Sequence, residues 1–327
     1  TGSTLSHLAA GYLAASAGGV FISSVILAAE LRRQGVLHDF RLRDVSFPFK
    51  DIFSFAIPML TTDLVIIAMH SADALMLGYF YGTTEVGIFR VILPLAMLNR
   101  TVMTSFAMLY TPTASRLFAR NDIAGINQLY WRTTIWLCAL TFPLFAATFA
   151  LSTPLTVLFF GERYVEAGPL LAILAFAYYV DSAFGFNGVT LKVLGCYRRI
   201  VTINLLAAVI NVAICLLLIP RFGALGAAWG TAISVLIFNV MKQVAMGRVH
   251  PIASFAPRYA TYFVLLGAAA LGLFAVQQAP LHLFLKVVVV TLIAGGILWV
   301  SRRHVDLHSV FPEAARLRQR FAAVFSS

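Results

Sequence analysis

The chain has 327 residues, 60% of them hydrophobic and only 11% charged, where a soluble domain is about 45–50% apolar and about 25% charged. With a mean hydropathy of +0.88 a water-soluble enzyme is excluded, and the question becomes how often the chain crosses a bilayer. On such a chain the formal charge of +11, from 24 Lys and Arg against 13 Asp and Glu, reads as cytoplasmic loops and not as a nucleic-acid interface.

Nine stretches have the length and apolarity of a membrane span: 5–29, 52–80, 86–112, 133–152, 167–191, 200–219, 224–246, 259–278 and 281–300. The first is too long for a signal peptide and lacks its basic flank, so it reads as a transmembrane helix. Because the chain opens at Thr1, it is expected to be a fragment. Gly82, Gly161, Pro169, Pro220 with Gly223, and Pro280 mark the breaks between spans.

The loops alternate in charge. Segment 30–51 carries Arg32, Arg33, Arg41, Arg43 and Lys50; 113–132 carries Arg116, Arg120 and Arg132; 192–199 carries Lys192, Arg198 and Arg199; 242–258 carries Lys242, Arg248 and Arg258; the tail carries five more. The intervening segments hold only Arg163 and Arg221. By the positive-inside rule the basic loops and the C-terminus are expected in the cytoplasm. Segments 113–131 and 311–325 set apolar residues at helical spacing beside Arg and are expected to lie as helices on the anionic inner leaflet.

No catalytic constellation is present in the sequence. Cys138, Cys196 and Cys215 have no metal-type spacing, His70 has no partner spaced like a zinc motif, and neither a Gly-rich phosphate loop nor a nucleophile elbow occurs. No enzyme activity, metal or cofactor is expected. The chemistry lies instead in ionisable groups inside spans, each costing about 2.5–3.5 kcal/mol unless it is paired or faces a wet cavity.

Span two carries Asp63, His70 and Asp73, and span three, returning past Gly82, carries Arg90 and Arg100. In an antiparallel hairpin, Asp63 falls level with Arg100 and Asp73 with Arg90, so two carboxylate to guanidinium pairs are expected at two depths. Either they hold the hairpin together, or they line a cavity where arginines meet an anionic substrate and carboxylates take a proton or Na⁺. Arg100, about fourteen residues into the span and roughly 21 Å deep, is beyond snorkelling range. Lys286 is shallow and expected at the interface.

Span five brings Asp181, Asn187 and Lys192 to nearly one face, with Gly185 and Gly188 giving close helix approach or room for a ligand. Asn204, Asn211 and Asn239 in spans six and seven read as interhelical hydrogen bonders. The candidate substrate-binding residues are thus Arg100, Arg90, Lys192 and Asn187; the ion-coupling or ion-pairing candidates are Asp63, Asp73, His70 and Asp181.

Five segments in order carry a resemblance: FSFAIPML at 53–60, DALMLGYFYGTTEVGIFRVILPL at 73–95, YTPTASRLFARND at 110–122, LTVLFFGERYVEAGPLLAIL at 155–174, and LKVLGCYRRIVTINLLAAVINVAICLLLIPRFGALGAAWGTAIS at 191–234. Over about 50–246 the chain resembles the second half of the lipid-linked oligosaccharide flippases, polysaccharide biosynthesis members of the multidrug/oligosaccharidyl-lipid/polysaccharide exporter superfamily. The last segment is the most specific, and spans eight and nine are generic.

The resemblance implies two six-helix lobes around a cavity that opens alternately to either side. In that frame residues 1–29 are the last helix of a first lobe otherwise absent, 30–51 a cytoplasmic interlobe linker, 52–246 the second lobe, 247–300 two additional transmembrane helices, and 301–327 a cytoplasmic amphipathic tail. It also implies a cationic cavity that accepts the diphosphate and sugar of an undecaprenyl-linked oligosaccharide at the bacterial inner membrane, with Arg100, Arg90 and Lys192 as this lobe's share. The partners so implied are the lipid-linked oligosaccharide, the bilayer, H⁺ or Na⁺, the missing N-terminal lobe, and a polysaccharide polymerase or other assembly protein. Two other readings stay open: an antiporter of the multidrug and toxin extrusion type, for which Asp63, Asp73 and Asp181 would serve cations, and a non-transporting scaffold or truncated product.

Overall fold

The computed structural model describes residues 2–33, 35, 49–249, 252–253 and 255–302. Most of the interlobe linker and the tail, with the amphipathic segment expected at 311–325, lie outside the described residues. The chain forms two compact units, Thr1–Phe55 and Ala56–Ser327. In the first, α1 (Gly2–Arg33) is an uninterrupted helix ending on Arg32 and Arg33, cations placed where the helix dipole favours them. The second helix, α2 (Phe49–Tyr81), contains the boundary between the units.

The second unit continues with α3 (Thr83–Val91), α4 (Leu93–Ala96), α5 (Leu98–Ala119), α6 (Ile123–Ala150), α7 (Ser152–Phe160), α8 (Gly168–Ala183), α9 (Asn187–Val193), α10 (Tyr197–Val249), α11 (Ala260–Gln278) and α12 (Leu283–Ser301). The protein is an all-α polytopic helix bundle, and no strand occurs among the described residues. Six of the described helical stretches are long and apolar enough to cross a membrane, seven when Thr83–Ala96 with Leu98–Ala119 counts as one bent span.

The centre of the second unit is α6. Thr133 to Ala139 are all buried, so this helix has no solvent or lipid face along that stretch, which is what an all-round apolar helix requires. Its threonines are tolerated because each hydroxyl turns back onto its own helix: Thr133, Thr134 and Thr141 donate to the carbonyls four residues earlier at 2.6–2.8 Å. Around it Phe145 stacks on Tyr179 of α8 at 4.3 Å. On another side Leu273 of α11 and Val290, Ala294 and Ile297 of α12 join the same core. Tyr262 and Ser301 share a 2.7 Å hydrogen bond that ties the two C-terminal helices together.

The 53-residue α10 is two arms. Gly223 leaves helical geometry (φ 55°, ψ −132°) three residues after Pro220, and the chain doubles back. Asn211 then donates to Ser234 at 3.2 Å, a Cβ on Gly230 would stand 2.6 Å from Cys215 Sγ, and a Cβ on Gly226 would strike the Leu218 carbonyl. Small residues on the second arm thus let the two backbones close up along the spans read at 200–219 and 224–246. Tyr81 caps the turn by donating to the Pro220 carbonyl at 3.0 Å.

Three expected elements differ. The span read at 86–112 is broken at Ile92 and Met97 around Pro94 and bends by 45°, since a proline removes a backbone donor and crowds the preceding turn. The span read at 133–152 begins ten residues earlier, because Asp122 caps α6 by accepting the Gly125 N–H at 2.7 Å. That same cap divides the surface helix expected over 113–131: Asn121 (φ 57°) ends α5, and Ile126, Tyr130 and Trp131 enter the core instead of the leaflet.

Candidate functional site

The helix expected over 167–191 is also broken, and the break builds a site. At Gly185 the backbone turns left-handed (φ +61°), and Thr134 of α6 lies so close that a Cβ there has no room. The chain restarts as α9, seven residues long, pinned to α5 by the 4.6 Å contact of Phe186 with Tyr110 and the 2.6 Å hydrogen bond between Tyr110 and Thr190. Beside it opens a cavity of about 260 Å³ walled by α5, α8, α9 and both arms of α10.

Its polar lining is ordered. Asn239 donates to Asp181 at 2.8 Å, and Asn187 donates to Asn239 Oδ1 at 3.1 Å, so a carboxylate and two amides tie α8, α10 and α9 together. One turn beyond Asn239, the Lys242 ammonium stands 3.3 Å from the centroid of the Phe238 ring. Arg100 enters from the first turn of α5, just past the Met97 break. Among the described residues, three basic side chains thus line the cavity with one carboxylate that already accepts a hydrogen bond, in walls otherwise largely apolar. Such walls focus the excess positive field on whatever enters.

Arg100 of span three and Asp181, Asn187 and Lys192 of span five thus line one cavity. Gly185 and Gly188 both supply close approach, a Cβ on Gly188 standing 3.3 Å from Lys242 Nζ. Arg90 is exposed on α3 and is not part of the lining. Asp73 does not make its expected pair with Arg90: buried, it accepts from Thr231 Oγ1 at 2.7 Å and from Cys215 Sγ at 3.2 Å, both on α10. Leu77, one turn on in α2, shares a core with Cys215 and Ile219 of α10, so the carboxylate is taken up by that hairpin. The side chains of Asp63 and His70 lie outside the described residues.

Lys242 was read as a loop cation and is instead a cavity residue. The signal available was its spacing, three residues after Asn239 and hence on the same helix face. Lys286 donates to the Gln277 carbonyl at 3.0 Å, at the junction of α11 and α12. No group of three His, Cys, Asp or Glu able to hold a metal ion occurs among the described residues.

With this geometry in hand, residues 21–169 match a family described as polysaccharide biosynthesis proteins. The chain is 25% identical over 191 residues to the capsular polysaccharide biosynthesis protein CapF of Staphylococcus aureus, covering 57% of this chain and 47% of that one. It is 29% identical over 133 residues to the teichuronic acid biosynthesis protein TuaB of Bacillus subtilis (strain 168), covering 38% of this chain and 26% of that one. The chain thus spans about half the length of the first of these relatives and about a quarter of the second. No solved structure matches. The resemblance to polysaccharide biosynthesis proteins stands, although the family match ends before the 191–234 segment that carried most of it in the sequence.

Proposed function

We propose that this multi-pass membrane protein serves polysaccharide biosynthesis as a carrier and not as an enzyme, moving an undecaprenyl-diphosphate-linked oligosaccharide across the bacterial inner membrane by alternating access. The observation that carries this reading is the cavity in which, among the described residues, Arg100, Lys192 and Lys242 stand with the carboxylate of Asp181. Within a membrane, cations held in that excess suit a multiply charged anion and repel the organic cations of a drug antiporter. Similarity to proteins named for capsular polysaccharide and teichuronic acid synthesis supports the substrate class.

In this reading residues 52–246 form the second lobe, 1–29 end the first, 30–51 link them, 247–300 add two helices, and the tail from 301 is cytoplasmic. Lys192 and Lys242 then sit at the cytoplasmic end of the cavity, where the substrate enters. Asp73, buried with Thr231 and Cys215 between α2 and α10, is the group proposed to take the coupling H⁺ or Na⁺. The ion moves the lobe by binding its two conformations unequally.

The test is retention of undecaprenyl diphosphate by purified protein. Arg100→Ala and Lys242→Ala should each weaken binding by about tenfold or more, the worth of a charged hydrogen bond, with the protein still folded in the membrane. Undiminished binding in both would defeat the reading. Loss of folded Arg100→Ala protein, restored by Asp63→Ala, would assign Arg100 to a structural ion pair instead.

A further inference from the structure

Asn204 stands on the first arm of α10, one turn beyond Ile200, and both residues line the cavity with Lys192 and Lys242. It is 1% exposed, and neither its Nδ2 nor its Oδ1 has a hydrogen-bond partner. The other amides of the wall differ: Asn187 and Asn239 are joined to each other and to Asp181. Asn99, Asn211 and Trp136 also leave a buried polar atom unpaired, but only one each, and none of them lines the cavity. Native proteins leave few buried polar groups unsatisfied, because each costs stability. An amide unpaired at both atoms in the wall of a binding cavity is a group awaiting a ligand.

The two atoms together narrow the ligand. Nδ2 needs an acceptor and Oδ1 needs a donor. A diphosphate offers acceptors alone and would leave Oδ1 as it is, while its charge is met by Arg100, Lys192 and Lys242. A sugar hydroxyl or acetamido group both donates and accepts. We propose that Asn204 determines specificity by hydrogen-bonding the sugar next to the diphosphate, so that the cavity tells a glycosylated lipid carrier from a bare one. This rests on the flippase reading of the same cavity and adds to it a specificity residue. In the conformation described the amide is covered, so the sugar reaches it as the cavity widens around the incoming head group.

The experiment compares two probes on the 327-residue chain in lipid nanodiscs: a polyisoprenyl diphosphate, and the same lipid bearing N-acetylglucosamine on its diphosphate. Wild type should bind the glycosylated probe about tenfold more tightly than the bare one. Asn204→Leu, close in volume and free of the polar atoms, should reduce that ratio to about one while bare-lipid affinity stays within about twofold. Asn204→Ala repeats the measurement should the larger side chain disturb folding. A preference kept in both variants overturns the inference and leaves the flippase reading standing, as would be expected if a trapped water occupied the amide. Failure of wild type to bind either probe overturns both. A thermal midpoint that is unchanged or raised in Asn204→Leu, together with the lost preference, separates recognition from a structural role.

Discussion

Asn239 and Lys242 lie three residues apart on the second arm of α10, and one side chain constrains the other. The amide donates to Asp181 at 2.8 Å, so this carboxylate is oriented by a neutral partner instead of collapsing onto the ammonium. Asn239→Leu should release it. Asp181 then swings toward Lys242 and pairs with it, that cation is no longer free to meet a ligand, and affinity for a diphosphate lipid should drop by about tenfold, read in the same binding assay. Retained affinity would mean that the amide chain only ties helices together. Asp73 is a different kind of residue, buried at the α2 to α10 contact and outside the cavity. Asp73→Asn keeps its shape and should fold, yet flux measured against an imposed H⁺ or Na⁺ gradient should lose its dependence on that gradient. Gradient-dependent flux in the variant would remove Asp73 from the coupling role.

Helix breaks give this molecule its site. The carboxylates, amides and basic groups were legible as residues, because ionisable groups in apolar spans stand out. The shared face of Asp181, Asn187 and Lys192 was legible too; that Arg100 and Lys242 join them was not, because the cavity depends on Gly185 reversing the backbone against Thr134. Periodicity treats 167–191 as one helix, and an isolated Gly in such a run is ambiguous until its neighbour is known. Asp73 illustrates the opposite failure: equal-depth arithmetic on an isolated hairpin paired it with Arg90, but the arriving α10 hairpin gave it other partners. Gly185→Ala should destabilise the protein by about 1–3 kcal/mol from the left-handed backbone alone, in addition to the clash, and lower its thermal midpoint in detergent. Removing the clash with Thr134→Ala should recover only part of that loss, because φ is unchanged; full recovery would place the whole cost in the contact. The hairpin of α10, by contrast, was legible in full, from Pro220 with Gly223 and from the small residues after them.

For the whole molecule, the orientation proposed rests on the alternation of basic loops. Arg198, in the first turn of α10, and Arg221, in the turn between its arms, fall on opposite sides of the membrane in this account. With Cys138, Cys196 and Cys215 replaced by Ala, a cysteine at 198 should react with an impermeant maleimide only from the cytoplasmic side, and one at 221 only from the outer side. Labelling of both from one face would overturn the orientation, and with it the placing of Lys192 and Lys242 at the substrate's entrance. The same scale holds the largest dependence of the account: alternating access requires a second lobe opposite this one, and the curated relatives are about two and four times as long as the stretch they share with this chain.

The most direct measurement reconstitutes the complete protein in liposomes and follows an undecaprenyl-diphosphate-linked oligosaccharide from one leaflet to the other, beside uptake of a cationic dye, in wild type and Arg100→Ala. Oligosaccharide crossing in wild type, lost in Arg100→Ala at equal protein abundance, with no dye uptake, is the result this account predicts. Dye uptake without oligosaccharide movement would contradict it in favour of a cation antiporter, and absence of both fluxes would contradict it in favour of a scaffold.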